Sequence, residues 1–308
     1  MAERYRYRAF SSSANLGPGF DVVAVALDAF YDEVELTIRP GAGRVKTVFT
    51  DPSIPGGLEN TAAQAALGVL KRYGRDIDVE IKVRKGIPVG RGLGSSGATA
   101  AAVVRGLNEA LGLGLDAREE MLLAGRAEAA AAGEPHYDNV AASLLGGLVI
   151  IYNASGTYYT ISIPIEAWFV IAVPHIRVPR AKTKTMRSII PRTVSLKLHV
   201  ADSGRLAALI AGLLTGQWLD AGRGMEDEII TPFRAKHVPC FEEARAAALR
   251  SGAFGFTISG AGPSTIALVE GGDRVDRVAQ AIKIAYEECG VAVKVKDTRP
   301  APGAHRVD

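Results

Sequence analysis

The sequence predicts an α+β protein built from two domains. Its 308 residues fit two domains or one large one, and they can bury an ample core. A strand-like alternation at 77–83 is followed by two successive helical patterns, rather than by the next strand that a repeated βαβ unit needs. Strand patterns at 147–153 and 158–163 predict a hairpin, and the apolar run at 168–174 predicts the first strand of a second domain. We place the domain boundary near residue 160, which gives residues 1–160 and 161–308.

Composition and charge argue against several classes of function. Apolar residues make up 48% of the chain and charged residues 22%, values typical of a globular enzyme. The net charge is +3 and no block of lysine and arginine stands out, so we expect no nucleic-acid partner. No apolar run is long enough to cross a bilayer, and residues 1–10 lack the apolar centre of a signal peptide, so no membrane association is expected. Cys240 and Cys289 are far apart in the sequence and form no metal or redox pattern, which indicates a reducing, cytoplasmic location.

The first domain begins with strand patterns interrupted by a polar turn. A half-buried strand is predicted at 4–10 from its alternation of polar and apolar residues. A sharp turn at 17–19 (Gly-Pro-Gly) follows, flanked by the short polar side chains of Asn15 and Asp21. Taken alone, this segment is a loop of turn-forming residues. Asn60 is predicted to cap a helix that follows it. Further strands are predicted at 22–27, 33–39 and 44–49.

The stretch from Pro88 to Gly97 predicts a phosphate-binding site. Glycines allow backbone to approach a ligand closely, and this stretch opens into an alanine-rich helix whose first N–H groups are free. The helix N-terminus also carries a partial positive charge, so the combination favours phosphate. The alternative is a plain strand-to-helix turn. The small residues are Gly90, Gly92, Gly94, Ser95, Ser96 and Gly97.

Two familiar phosphate patterns do not account for this stretch. No Gly-Lys-Ser/Thr follows the glycines, so the P-loop pattern is excluded. Gly92, Gly94 and Gly97 satisfy the dinucleotide fingerprint as a string. Residues 84–91 separate them from the strand, however, and a second helix follows where that fingerprint requires a strand.

Polar side chains cluster again at 128–139. Glu128 lies among alanines on a helix predicted at 116–132, where it is either a surface charge or a carboxylate pointing into a cavity. After Pro135, the side chains of His136, Asp138 and Asn139 gather at the start of another helix, which we expect Asp or Asn to cap.

The second domain carries cationic candidates and another glycine turn. Thr183 and Arg187 are four residues apart on a predicted helix and share a face. An amphipathic helix is predicted at 194–215, followed by an Asp-x-Ile-x-x-Pro-x-Arg segment that ends at Arg234. A β-turn-β pattern then surrounds Ser-Gly-Ala-Gly-Pro-Ser at 259–264, and the tail is predicted to form a helix and a strand.

Three of these segments, in this order, resemble the motifs of the GHMP kinases. They are Ser-Ala-Asn-Leu-Gly-Pro-Gly-Phe-Asp at 13–21, the glycine-rich stretch at 88–97 and the turn at 259–264. The first of them and the Pro-His-x-Asp-Asn turn are most similar to the homoserine kinases within that superfamily. The resemblance covers Ser11 to Ser264. It implies an N-terminal domain like ribosomal protein S5 domain 2, which binds ATP, and a C-terminal ferredoxin-like domain.

The resemblance also implies an activity and a set of site residues. The expected reaction is ATP-dependent phosphorylation of L-homoserine to O-phospho-L-homoserine for threonine biosynthesis, catalysed by a homodimer with ATP and Mg²⁺. The nucleotide would contact Asn60, Pro88, Gly90, Arg91, Gly92, Leu93, Gly94, Ser95, Ser96 and Gly97. Ser96 and Glu128 would hold Mg²⁺, and with Asp138 and Asn139 they form the expected catalytic set. Homoserine would contact Asn15, Asp21, His136, Asp138, Asn139, Thr183, Arg187, Arg234 and Gly262.

The sequence leaves the proton acceptor and two rival functions open. The first motif lacks the lysine that other superfamily members usually carry, and Asn139 stands where mevalonate kinases have their presumed aspartate base. Our hypothesis is transfer without a strong protein base, with Asp138 as the competing base. The rivals are another small-molecule GHMP kinase, acting on mevalonate or shikimate, and a non-catalytic nucleotide sensor with the same fold.

Overall fold

The chain forms two β-sheets covered by helices. The computed structural model describes residues 2–52, 54, 56–74, 76–132, 135–179 and 182–307. The strands are β1 (Glu3–Asn15), β2 (Gly19–Pro40), β3 (Val45–Phe49), β4 (Ile77–Arg84), β5 (Leu148–Ala154), β6 (Thr157–Ile163), β7 (Trp168–Pro174), β8 (Gly255–Ile258), β9 (Thr265–Val269), β10 (Val293–Thr298) and β11 (His305–Val307). The helices are α1 (Thr61–Tyr73), α2 (Ser95–Leu111), α3 (Ala117–Ala132), α4 (Tyr137–Leu145), α5 (Lys182–Ser188), α6 (Leu196–Thr215), α7 (Trp218–Gly224), α8 (Thr231–Arg234), α9 (Phe241–Arg250) and α10 (Asp273–Glu288).

The first sheet has seven strands, with β1 and β2 at its centre. Its order is β11-β1-β2-β4-β3, and the hairpin of β5 and β6 attaches to the far end of β2. β2 is one continuous strand where two separate strands, 22–27 and 33–39, were predicted. The intervening Asp28 and Asp32 interrupt the apolar pattern, but both carboxylates find partners from other parts of the chain. These tertiary contacts therefore stabilise β2 as one strand through the polar segment.

Alanine-rich helices pack closely on this sheet. α2 buries almost its whole first half against β1 and β2, because alanine and glycine allow backbones to approach. A Cβ added at Gly106 would lie 2.5 Å from the side chain of Leu36 and 2.8 Å from that of Tyr7. The close packing fixes the position of the α2 N-terminus, where the glycine-rich stretch ends.

The second sheet has the ferredoxin-like arrangement. Its antiparallel strands lie in the order β10-β7-β9-β8, with α9 between β7 and β8 along the chain and α10 between β9 and β10. Alternate residues of β7 face opposite ways: Val170 and Ala172 pack on the side of α9 and α10, whereas Phe169 and Ile171 join the core of the first domain. One apolar core thus continues across both domains.

Two strand pairings involve residues beyond position 160 and lie in the first sheet. β6 ends at Ile163, where the predicted hairpin ends, and it pairs with β5. β11 returns from the end of the chain to pair with β1 of the first domain. A three-residue strand so distant in sequence has no local signal, because its pairing is decided by the neighbouring edge of β1.

One smaller expectation is also corrected. α4 begins at Tyr137, so Asp138 and Asn139 lie in its first turn and neither caps it; the capping position is His136, whose side chain makes no capping bond. Cys240 and Cys289 are free thiols. Burial, followed by the neighbouring Cys289, raises the pKa of Cys240 to about 12. No helix in the described ranges is long and apolar enough to cross a membrane.

Candidate active site

The glycine-rich stretch contacts the turn at 259–264. Gly92 has a φ of +79°, and a Cβ there would lie 2.3 Å from the carbonyl oxygen of Ser259 and 2.7 Å from that of Gly262. The hydroxyl of Ser259 donates a hydrogen bond of 2.7 Å to the carbonyl of Gly92. Only glycine fits at this contact. The glycine-rich stretch and the turn at 259–264, which are separated by more than half the chain, are therefore in direct contact.

The same stretch contacts the first motif and the turn at 136–139. Gly94 has a φ of +67°, and a Cβ there would lie 2.1 Å from the hydroxyl oxygen of Ser12 and 2.9 Å from Oδ1 of Asn139. The Ser12 hydroxyl donates to that same Oδ1 at 3.0 Å. Its backbone N–H donates to the carbonyl of Leu93 at 3.1 Å. All three motifs therefore meet at the start of α2.

A buried lysine supports the first turn of α2 from below. Lys85 forms an ion pair with Asp32 and donates hydrogen bonds of 2.8 Å to the carbonyl of Ser95 and to the hydroxyl of Thr99. Asp32 also accepts the backbone N–H groups of Gly86 and Ile87. The Asp32 carboxylate is fully buried and the Lys85 side chain is 7% exposed, and burial lowers the pKa of Lys85 despite the neighbouring carboxylate. This network fixes the backbone of the first turn of α2.

Two cavities adjoin the start of α2. The large cavity, about 700 Å³, is lined by the start of α1, the loop before it and the side chains of Phe49 and Val89. Asn60 lies on the wall of this cavity. Its side-chain oxygen Oδ1 accepts the backbone N–H of Ala63 and so caps α1, as predicted. The small cavity, about 170 Å³, shares Val89, Ser95 and Ser96 with the large one. The small cavity is also lined by Gly90, Arg91, Gly92, Leu93, Gly94, Glu128, His136, Asn139, Lys182, Thr183, Gly260 and Ala261.

Glu128 points into the small cavity with one oxygen unpaired. The residue is 6% exposed, and its Oε2 has no hydrogen-bond partner among the described residues. Its Oε1 lies 3.6 Å from Nδ1 of His136. Burial works against the charged imidazole, but the hydrogen bond and charge of Glu128 outweigh it and raise the pKa of His136. The hydroxyl of Ser96, 2.8 Å from that of Thr61, lines the same cavity. A buried carboxylate oxygen without a partner, beside a hydroxyl, fits a hard cation such as Mg²⁺.

Two arginines and an aspartate are grouped next to the residues that line the small cavity. Arg187 holds Asp21 through bonds of 2.8 and 3.0 Å. Arg234 is 4% exposed and donates to the carbonyls of Met186 and Gly260. Burial lowers the pKa of Arg234 to about 10, against the attraction of Asp21. Phe20 lies between them, its ring centre 5.1 Å from the Arg187 guanidinium and 5.0 Å from that of Arg234.

Comparisons with known proteins show the family of this chain. The family model described as GHMP kinases N terminal domain matches residues 60–147, and that described as GHMP kinases C terminal matches residues 209–288. The chain is 44% identical to the homoserine kinase of Aeropyrum pernix over 306 residues, which cover 98% of this chain and 97% of that protein. The chain belongs to the homoserine kinase family of GHMP kinases.

Further relatives extend over the same length. The homoserine kinase of Thermoplasma volcanium is 36% identical over 96% of this chain and 94% of its own. The crystal structure of homoserine kinase from Cytophaga hutchinsonii superposes with a TM-score of 0.91 at 32% identity, covering 99% of this chain and 97% of that one. L. major mevalonate kinase in complex with R-mevalonate gives a TM-score of 0.70 at 19% identity, over 96% of this chain and 95% of that one, which shows the shared fold alone. The predicted two-domain GHMP kinase fold is confirmed.

In this homoserine kinase family member, Asp138 and Asn139 are neighbours in the first turn of α4, and their side chains are hydrogen-bonded. Asn139 lines the small cavity, and its side-chain amide donates to Oδ1 of Asp138 at 3.2 Å. Asp138 is 4% exposed; burial, with help from the charge of Asp21, raises its pKa to about 6 despite the N–H that Asn139 donates to it. Asp138, the predicted competing base, therefore lies against a side chain that lines the cavity.

The other predicted residues of the kinase are placed as follows. Asn15 donates to the carbonyl of Gly260 and accepts the N–H of Asp21. Gly262 accepts a hydrogen bond from Lys182. Neither Pro88 nor Gly97 is among the described residues that line the two cavities.

Sequence reasoning missed three side chains of this site: Ser12, Phe20 and Lys182. Phe20 belongs to the first motif and Ser12 directly precedes it, so their position near Asn15 and Asp21 was an available signal. Lys182 stands in a run of lysines and threonines that looks like a solvated helix face, and its sequence gives no signal.

Proposed function

We propose that the chain transfers the γ-phosphoryl group of ATP to the side-chain hydroxyl of L-homoserine, which gives O-phospho-L-homoserine for threonine biosynthesis. The observation that carries the proposal is the position of the small cavity. Its lining includes the first residues of α2, which are suited to phosphate. Its lining also includes Thr183, on the same helix as Arg187, and Gly260, whose carbonyl accepts a hydrogen bond from Arg234, so it adjoins two cations suited to an amino acid. The identity to homoserine kinases over the whole chain supports the same substrate.

The nucleotide extends through both cavities. The adenosine occupies the large cavity, which is mostly apolar and has room for a base and ribose. The triphosphate passes over the first turn of α2, where N–H groups are free, at Ser95 and Ser96. Since those serines line both cavities, the terminal phosphate reaches the small one.

Ser96 and Glu128 are the residues that would hold Mg²⁺ beside the phosphates. The ion would neutralise phosphate charge as it develops during transfer. A serine hydroxyl has two lone pairs, so the contact of Ser96 with Thr61 leaves one available. His136 orients the Glu128 carboxylate through its Oε1, which leaves Oε2 without a hydrogen-bond partner among the described residues.

Homoserine binds through both of its charges. Its carboxylate meets Arg187 and Arg234, because guanidinium groups bind carboxylates through two parallel bonds. Its ammonium meets Asp21, with Asn15 and His136 close by. Thr183 on α5 lies on the cavity wall beside the acceptor.

Transfer proceeds without a strong protein base. The transition state of phosphoryl transfer is loose, so orientation of the acceptor and neutralisation of charge give most of the acceleration. Asn139 orients the acceptor hydroxyl from the cavity wall. Asp138 faces the ammonium side and contributes negative charge there.

The test is ADP release with ATP and a panel of acceptor alcohols. L-homoserine is expected to be phosphorylated with a kcat/KM well above that of D-homoserine, mevalonate or shikimate. Preference for mevalonate or shikimate would identify another GHMP kinase, and nucleotide binding without ADP release would identify a sensor. A homodimer and a cytoplasmic location, both expected from the sequence, stay predictions; light scattering in solution tests the first.

A further inference from the structure

Lys182, the first residue of α5, places an ammonium group in the small cavity. It lines that cavity together with Thr183, Ser96 and Glu128, and it is not among the residues that line the large one. Its Nζ donates a hydrogen bond to the backbone carbonyl of Gly262, in the turn that closes over the glycine-rich stretch. The lysine is therefore anchored at the end of the cavity remote from the adenosine.

This ammonium lacks an anionic partner. Across the described ranges no carboxylate forms an ion pair with Lys182, and its hydrogen-bond acceptor is a neutral carbonyl. Burial, followed by the positive charges of Arg234 and Arg91, lowers the pKa of Lys182 to about 7. Arg91 likewise donates to a carbonyl, that of Pro174. A buried group of positive charges, each bonded to carbonyls, is built to receive an anion.

The path of the triphosphate indicates which anion Lys182 binds. Its first phosphates lie where the two cavities share Ser95 and Ser96, so only its last phosphate lies deep in the small cavity. We propose that Lys182 binds the terminal phosphate of the nucleotide and stabilises its charge as that phosphoryl group moves to the acceptor. This inference rests on the proposed function for its second half and on nucleotide binding alone for its first.

The assignment also accounts for a feature of the first motif. The turn at 17–19 carries no lysine, so this motif supplies no ammonium group to the phosphates. The ammonium of Lys182 enters from α5, a helix of the second domain that also carries Arg187. One short helix therefore presents a cation to the phosphoryl group and another to the acceptor, which fixes their separation.

Nucleotide binding without any acceptor tests the first half. The dissociation constants of ADP and of the β,γ-imido analogue of ATP are measured by calorimetry with Mg²⁺ for the native chain, Lys182→Met and Lys182→Arg. The control is Lys184→Met, which removes an exposed lysine from the same helix. A charged hydrogen bond to phosphate is worth about 10- to 100-fold in affinity. We expect Lys182→Met to weaken binding of the analogue by that factor. The affinity for ADP, which has no γ-phosphate, is expected to stay nearly unchanged.

The outcomes separate the possible failures. Equal weakening of ADP and the analogue, or no weakening of either, would overturn the assignment of Lys182 to the terminal phosphate. Retained ADP affinity also shows that the variant is folded. If the native chain bound neither nucleotide, both the proposed function and this inference would fail. If it bound both but phosphorylated no homoserine, the proposed function would fail and the phosphate contact would stand on the binding data.

Kinetics with homoserine test the second half. Removal of one preorganised donor from a transition state costs about 10²- to 10³-fold in kcat, and we expect that loss in Lys182→Met with little change in the KM for homoserine. Lys182→Arg keeps the charge and is expected to recover part of the rate, while Lys184→Met matches the native chain. A kcat in Lys182→Met within about threefold of native would rule out transition-state stabilisation by this lysine.

Discussion

The guanidinium of Arg187 binds the carboxylate of Asp21 through two parallel hydrogen bonds, Nη1 to Oδ2 at 2.8 Å and Nη2 to Oδ1 at 3.0 Å. The two residues are 166 positions apart and come from different domains, so this pair joins the first motif to α5. It presents a positive and a negative group side by side, partly open to solvent. An amino acid carries one charge of each sign, so its carboxylate and ammonium can replace this ion pair with two.

Arg187→Ala is expected to weaken the binding of homoserine more than the binding of ATP. Loss of one partner of a close charge pair raises the KM for homoserine by about 10- to 100-fold, with the lower part of the measured range chosen because Arg187 is partly exposed. The control is Arg192→Ala, which removes an exposed arginine just beyond α5. Steady-state kinetics with each substrate varied in turn give both KM values. An equal loss of ATP affinity would show that Arg187 holds the nucleotide instead.

The sequence predicted the elements whose signals are local. The apolar run at 168–174 forms β7 with those bounds, and Asn60 caps α1 as its position before an alanine-rich helix indicated. The glycines at 92 and 94 mark close backbone contacts because only glycine fits there. Each of these signals depends on a few neighbouring residues, so one sequence is enough to detect it.

Features decided by distant partners could not be predicted in the same way. Asp32 lies between the two strands predicted at 22–27 and 33–39, yet it is fully buried because Lys85 and two backbone N–H groups meet it. Lys182 and Lys184 are alike in sequence, and only the packing of α5 decides which of them enters the cavity. Such side chains are recognised once the partner element is in place.

Gly94→Ala is expected to abolish nucleotide binding. Its Cβ would collide with Ser12 and Asn139, and the left-handed backbone costs a non-glycine residue about 1–2 kcal/mol more. Gly68→Ala is the matched control, since a Cβ within α1 meets no atom within 4 Å there. Calorimetry with ADP measures the effect. Native-like binding by Gly94→Ala would mean that the glycine-rich stretch does not hold the phosphates.

Asp138→Asn and Asn139→Ala separate the two accounts of proton transfer. In base-free transfer, Asp138→Asn lowers kcat by less than about 10²-fold, below the usual contribution of a general base. Asn139→Ala lowers kcat as well, because the acceptor hydroxyl loses a group that orients it. Both are measured with saturating ATP and homoserine. A loss of about 10⁴-fold in Asp138→Asn alone would identify Asp138 as the base.

Lys85→Met is expected to be strongly destabilising. It leaves the fully buried Asp32 without its charged partner, and breaking a buried pair in this way costs about 3–5 kcal/mol of unfolding free energy. The double variant Asp32→Asn, Lys85→Met removes both charges and is expected to regain part of that loss. The control is Lys82→Met, which removes an exposed lysine from β4, the strand that ends just before Lys85. Urea unfolding measures all of these, and a double variant as unstable as Lys85→Met would contradict the ion-pair account.

Asp138→Asn is expected to stabilise the fold at neutral pH and not at acidic pH. Burial and the charge of Asp21 raise the pKa of Asp138 to about 6 in the folded chain, against about 3.9 in an unfolded one. A carboxyl whose folded pKa is raised adds most to stability below about pH 4, and that contribution is lost as the pH rises through about 6. Asparagine has no such proton, so its advantage over aspartate grows between those values by about 3 kcal/mol.

Urea unfolding of both proteins from pH 4 to pH 8 measures this difference. All groups that the two proteins share cancel, which isolates residue 138 from Asp21, Glu128 and His136, whose charges also act on it. Asp276→Asn, an exposed aspartate on α10, is the control. Because a buried carboxylate is costly only when ionised, the advantage of asparagine must rise with pH. A difference that stays constant, or one that falls as the pH rises, would show that Asp138 is ionised at little cost in the folded chain.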